Sequence, residues 1–320
     1  MTSTEELAVA PRQAWSLPIP LAIAVSLLGG ACSAAQALVN GRLGDTVGSP
    51  VTAALVSNGL AMVVLAATLM FAAVRTGLRR VAAARLPWWQ YLGGALGALT
   101  VAGTALAAPV LGVALFTVVQ VSGASLSGVV TDRVGLGPMG KLPVTAIRMV
   151  SAVVAVVAVT VAQFGRPIGH LAVGTLLFVL ALGLCRPLQV ALNGRVTAAA
   201  SNVGSASLVN AVIGTGALVV ALAGFQLTGN LRFGGWPSGW WLYLGGFLAL
   251  IVTGANMVSV QSLGVLRTGL TALGGQITGG LVIDAVIPDG HRPTLWLYLG
   301  ASLTIAAALA AGIGRQTPRR

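Results

Sequence analysis

Charge is what this chain has least of. Of its 320 residues only 8% are Asp, Glu, Lys or Arg, where a water-soluble domain carries about a quarter. Hydrophobic residues make up 56% and the mean hydropathy is +0.93. Such a chain has too little polar surface to cover a globule in water, so its main solvent is lipid. Acids are scarcest: Glu5, Glu6, Asp45, Asp132, Asp284 and Asp289, none in the middle of an apolar run. Two cysteines, Cys32 and Cys185, make no disulfide framework. His170 and His291 have no Cys or acid cluster beside them, so no metal is expected. Neither a P-loop nor a G-x-S-x-G turn occurs, which removes the support for ATP-driven transport and for hydrolase chemistry. The chain reads as a non-enzyme without a cofactor. The net charge of +12 invites a nucleic-acid reading. The basic residues, however, sit singly in short gaps between apolar runs, as loop charges that set membrane topology do. The expected partners are the lipid bilayer and no nucleic acid.

What is present is a series of apolar runs. The first residues are acidic and no A-x-A site follows a short apolar core, so the N-terminus does not read as a secretory signal. A membrane span needs about 20 mostly apolar residues. Ten runs qualify, at roughly 17–39, 50–74, 87–108, 110–131, 142–164, 169–192, 203–228, 239–260, 262–283 and 293–314. The third and fourth nearly touch at Ala107-Ala108-Pro109, and the eighth and ninth at Val260-Gln261, which predicts two tight hairpins. The 43 glycines fit close helix packing. With the N-terminus inside, eleven Lys and Arg fall on the inner side and four on the outer, while Arg148, Arg186 and Arg267 lie within spans. The positive-inside rule then places both termini in the cytoplasm of a multi-pass inner-membrane protein.

The chain is written twice. Cys32-x3-Gln36-x3-Asn40-Gly41-Arg42 returns as Cys185-x3-Gln189-x3-Asn193-Gly194-Arg195, 153 residues later. Tyr91-Leu92-Gly93-Gly94, Leu111-Gly112-Val113 and Asp132 return at an offset of 152 as Tyr243-Leu244-Gly245-Gly246, Leu263-Gly264-Val265 and Asp284. Val47-Gly48-Ser49 matches Val203-Gly204-Ser205 at 156, which suggests about three extra residues there. The expected organisation is a cytoplasmic tail over 1–16, one five-helix repeat over 17–164, a second over 165–314 and a cytoplasmic tail over 315–320. Five is odd, so the copies enter the membrane from opposite sides. The predicted fold is all-α and integral to the membrane: ten transmembrane helices as two inverted five-helix repeats, the architecture of secondary transporters.

Residues at i, i+4 and i+8 share a helix face, so Gln36 and Asn40 form one polar stripe, and Gln189 and Asn193 its mate. An amide is costly in lipid, so each stripe faces either a shared central cavity or a neighbouring helix that hydrogen-bonds it. For Asn40-Gly41-Arg42 and Asn193-Gly194-Arg195 a helix-ending turn is an equal expectation. Arg186 lies well inside the sixth span beside Pro187, which suggests a discontinuous helix. A buried arginine without an intramembrane carboxylate calls for a carboxylate or phosphate on a substrate. Arg148 and Arg267 stand nearer span ends, where snorkelling is the simpler reading. Asn256 and Gln276 lead the remaining in-span amides, ahead of Asn58, Gln120 and Asn210. Asp132 and Asp284, at helix ends, serve either as interfacial anchors or in coupling and gating, where Arg148 is a further candidate.

Together these features resemble the YdcZ-type family of the drug/metabolite transporter superfamily. The resemblance rests on N-G-R after the first span, G-S-P opening the second, Y-L-G-G opening the third, then L-G-V and a Gly-rich fourth helix ending in Asp. Gly274-Gly275-Gln276-Ile277-Thr278-Gly279-Gly280-Leu281-Val282-Ile283-Asp284 is the closest stretch, and the likeness covers about residues 20 to 312. It implies a five-helix unit, here fused to a second copy, and a transporter with no defined substrate. Small four-helix members of the superfamily couple protons through a glutamate in the first helix. The first span here has none, and Ala124 stands where the second half has Gln276. The resulting expectation is a secondary active transporter of a small anionic or zwitterionic metabolite, working by alternating access. An exporter of cationic or hydrophobic compounds and a non-transporting scaffold remain the alternatives. A monomer already contains both halves, and a dimer stays open.

Overall fold

The computed structural model describes residues 17–141, 146, 149, 150, 153, 154, 157, 161, 170–227, 234–287 and 294–313. Arg148, both expected tails and most of the expected fifth span lie outside them. Among the described residues the chain is helical, without strands. The helices are α1 (Ile19–Val47), α2 (Pro50–Ala67), α3 (Ala72–Ala83), α4 (Gly93–Leu111), α5 (Val113–Val134), α6 (His170–Ala200), α7 (Val203–Leu227), α8 (Gly245–Val286) and α9 (Leu295–Ile313). Among the described residues seven helical stretches are long and apolar enough to cross a membrane: Ile19–Val47, Pro50–Met70, Trp88–Leu111, Leu115–Val134, Val173–Ala200, Val203–Leu227 and Trp240–Val286.

The last of these runs for 47 residues. At 1.5 Å per residue that is about 70 Å, more than twice the ~30 Å of a bilayer's hydrocarbon core. It is two helical segments joined at Gly264, whose φ of 75° and ψ of 174° lie where only glycine is comfortable. Gly112, with φ 77° and ψ 150°, makes the same break between α4 and α5. The repeated Leu-Gly-Val is therefore a helix break, a few residues beyond the hairpins expected at Ala107–Pro109 and Val260–Gln261. The stop between α1 and α2 is local chemistry. Gly48 closes α1 in the left-handed region with its N–H on the Gly44 carbonyl. Ser49 then accepts from the Thr52 N–H as N-cap, and Pro50 opens α2.

Four sequence expectations need correction. Helix α1 continues to Val47 and α6 to Ala200, so neither Asn-Gly-Arg forms a turn. Gly41 packs on Pro109 and Gly194 on Pro138 and Val260 within those helices. Helix α6 also runs unbroken through Pro187. The carbonyl of Leu184 in that turn also accepts from Ser127 Oγ of α5 at 2.6 Å. The basic stretch after the second span is the helix α3, with Val74, Gly77 and Val81 as its buried stripe and Arg75, Arg79 and Arg80 exposed. Finally, Asn202 Oδ1 accepts from the Ser205 N–H as Ser49 does from Thr52. The caps thus correspond at 153 residues, the offset of the Cys-Gln-Asn stripe, and no insertion is needed.

The packing is duplicated as well. Gly30 lies against the Ala272 carbonyl and Gly275 against the Leu27 carbonyl, where α1 crosses the second segment of α8. Gly183 lies against the Gln120 carbonyl and Gly123 against the Leu180 carbonyl, where α6 crosses α5. A Cβ at any of the four would overlap backbone, so glycine is what lets each pair of helices touch main chain to main chain. The core around these crossings is small and aliphatic, with Phe116 its one large aromatic among the fully buried residues.

Candidate functional site

The two crossings leave a polar space between α1 and α6, bounded by α2, α4, α7 and the first segment of α8. It is partly open to the outside. Its lining comes largely in pairs that the repeat relates: Gln36 with Gln189, Asn40 with Asn193, Thr100 with Val252, Val101 with Thr253, Thr104 with Asn256, and Ser33 with Arg186. Asn58 and Asn210 add an amide each from α2 and α7.

The glycines of the repeated Tyr-Leu-Gly-Gly position the stripe. Each motif ends a 3-10 turn, Trp88–Leu92 or Trp240–Tyr243, and opens α4 or α8. A Cβ on Gly93 would overlap Asn193 Oδ1, and one on Gly245 would overlap Asn40 Oδ1. The next glycines, Gly94 and Gly246, meet the carbonyls of Asn210 and Ser57. Asn40 also donates from Nδ2 to Ser57 Oγ at 3.4 Å. Gln36 Nε2, Asn40 Oδ1, Asn58 Nδ2 and Asn210 Oδ1 have no hydrogen-bond partner among the described residues. The cavity wall thus offers donors and acceptors in comparable number.

Arg186 breaks the symmetry. It is buried, 8% exposed, and reaches the cavity from α6. Its Nη1 donates to Gln120 Oε1 and to Gln276 Oε1, each at 3.0 Å. Gln276 Nε2 in turn donates to Gln120 Oε1 at 3.3 Å. Both glutamines are almost fully buried. None of the described acids lines the cavity.

Six of the seven cavity candidates named from sequence, Gln36, Asn40, Arg186, Gln189, Asn193 and Asn256, line this one space. The seventh, Gln276, stands behind Arg186 and touches the guanidinium rather than the cavity. Asp132 is elsewhere: its Oδ1 accepts from the Val265 N–H at 3.3 Å and its Oδ2 from the Leu266 N–H at 3.1 Å. It caps the second segment of α8 just past the Gly264 break, where a carboxylate complements the positive helix end. Asp284 lines a second space with Arg42, Asp45 and Gly112. Arg42 lies over the Trp241 ring, 5.6 Å from its centre. Arg195 donates from Nε to the Leu136 carbonyl at 2.7 Å and from Nη2 to that of Gly135 at 2.6 Å, closing the end of α5. Arg267 is half-buried and outside the cavity. Arg148 lies outside the described residues. No group of three His, Cys, Asp or Glu that could hold a metal occurs among the described residues. Sequence reasoning missed Ser33, Thr100, Thr104 and Thr253 as lining residues. Ser33 was within reach, since it is the repeat mate of Arg186.

A bundle of apolar helices around a polar cavity has the build of a multi-pass membrane transporter. The chain belongs to the family described as "Putative inner membrane exporter, YdcZ", whose model matches residues 21–161 and again 174–310. The two matches fit a duplicated unit. No curated protein matches the chain.

Proposed function

We propose that the protein is a secondary active transporter that moves a small anionic or zwitterionic metabolite by alternating access around the central cavity. The observation that carries the reading is Arg186, a buried cation facing the cavity with two neutral amides as its hydrogen-bond partners. A guanidinium in a membrane interior is costly unless hydrated or paired, so it marks a functional site. A carboxylate or phosphate on the cargo pairs with it bidentately. In this reading ten helices form two inverted repeats, with the fifth helix inside 142–164 and α8 counted as two, and both termini are cytoplasmic. The duplicated crossings support a two-fold arrangement in which the halves rock about a site shared between them. The family's description favours export as the direction.

The test is a thermal-shift screen of the purified protein against small anions, zwitterions, cations and neutral solutes. A ligand that binds only the folded state stabilises it by about 2.7 kcal/mol at a hundredfold excess over Kd. The account predicts stabilisation by carboxylates or phosphates that Arg186→Ala abolishes. Stabilisation by cations alone contradicts it and favours efflux of cationic compounds. Silence across all classes contradicts it in favour of a scaffold.

A further inference from the structure

The charged corner of the cavity exists in one half only. Arg186, Gln120 and Gln276 correspond through the repeat to Ser33, Ala272 and Ala124. Of the other paired lining, Gln36 with Gln189 and Asn40 with Asn193 match amide with amide, while Thr100 with Val252, Val101 with Thr253 and Thr104 with Asn256 differ but carry no charge. The cavity is therefore a neutral box with a single positive end. The geometry points to Gln120 and Gln276 as positioning residues that hold Arg186 aimed and charged, so that the site selects a singly charged organic anion with a hydrogen-bonding body. The inference rests on the transport reading above and narrows its substrate class.

Each step follows from the side chains. One guanidinium nitrogen, Nη1, is occupied by two amide oxygens at 3.0 Å. The Gln276-to-Gln120 bond ties those amides to each other, so both carbonyl oxygens point at the arginine. A glutamate at either place would fit the same volume and make a stronger bond, but it would cancel the charge. Amides orient the guanidinium and leave its charge for the ligand. In a medium of low dielectric the occupied site is most stable when its net charge is zero, because an unpaired buried charge is strongly penalised. One arginine with none of the described acids in the lining then matches one negative charge. A dianion leaves a charge over, and a zwitterion brings an ammonium for which the lining has only amide and hydroxyl oxygens. The amides of Gln36, Asn40, Asn58 and Asn210 suit hydroxyl or amide groups on the ligand body.

The experiment uses the full chain in proteoliposomes with probes of similar size: gluconate as monoanion, sorbitol as neutral polyol, glucosamine as cation and serine as zwitterion. Saturable uptake is measured for the wild type, Gln120→Glu, Gln276→Glu, Gln276→Met and Arg186→Ala, each with its melting temperature. The wild type is expected to prefer gluconate to sorbitol at least about tenfold, the scale of one charge-assisted contact. Each Glu variant should lose that preference about ten- to a hundredfold, with sorbitol uptake kept or raised and the melting temperature maintained. Gln276→Met should weaken gluconate uptake while keeping gluconate ahead of sorbitol, because the charge survives. If the Glu variants keep the gluconate preference that Arg186→Ala loses, the role given to the glutamines is overturned and the anion reading stands. If the wild type itself does not favour gluconate, the anion reading fails and this inference with it.

Discussion

At the scale of single residues, glycine and asparagine work as pairs across the repeat. Asn193 Oδ1 lies against Gly93 and Asn40 Oδ1 against Gly245, with no room for a methyl group. Gly93→Ala and Gly245→Ala should each destabilise the protein by about 1–3 kcal/mol, the range of core overpacking. Melting in detergent checks this, and adding Asn193→Ala to Gly93→Ala should recover part of the loss because the two sites are in contact. Unchanged melting in the single variants would remove the contact from the account. Much of the cavity wall was legible in the sequence at this scale. The Cys-Gln-Asn stripe repeats at helical spacing, and an arginine without nearby acids stands out in an apolar run. The partners of Arg186 were not legible: Gln120 and Gln276 are 66 and 90 residues away and reach it only through folding.

At the scale of elements, the helix breaks at Gly112 and Gly264 and the carboxylate at Asp132 set where segments start. Asp132 holds two backbone N–H groups at the start of the segment after Gly264. Asp132→Ala should destabilise by about 1–2 kcal/mol, as loss of a helix N-cap does, and Asp132→Asn, which keeps an acceptor, by less. Chemical or thermal unfolding in detergent measures both. Equal stability of all three proteins, with loss of pH-dependent transport in Asp132→Asn, would return Asp132 to a coupling role. Hydropathy located the apolar helices well because length and lack of charge are strong signals in lipid. It misplaced their ends. Apolarity falls away at Asn40 and Asn193, whereas the helices continue until Gly48 and Ser201 stop them. The helix α3 escaped notice because its buried stripe is three residues wide and its remaining face is basic.

At the scale of the whole molecule, the repeat is expressed in contacts as well as in letters. The same glycine-on-carbonyl crossing occurs twice, and the caps of α2 and α7 correspond at the offset of the polar stripe. Ordered motifs at one spacing make this duplication legible in the amino-acid sequence alone. The space between the halves was less accessible to sequence, since a polar stripe that faces a cavity and one that faces a neighbouring helix are spelled alike. Transport by rocking of the two halves requires that this space open to each side of the membrane in turn. The measurement that tests this most directly places one cysteine at Asn256, or at its mate Thr104, in a chain with Cys32→Ala and Cys185→Ala. It is treated with a membrane-impermeant thiol reagent in right-side-out and in inside-out vesicles. The account predicts labelling from both sides, slowed by a transported anion. Labelling from neither side would mean that the two halves pack without a working cavity, and labelling from one side alone would contradict alternating access.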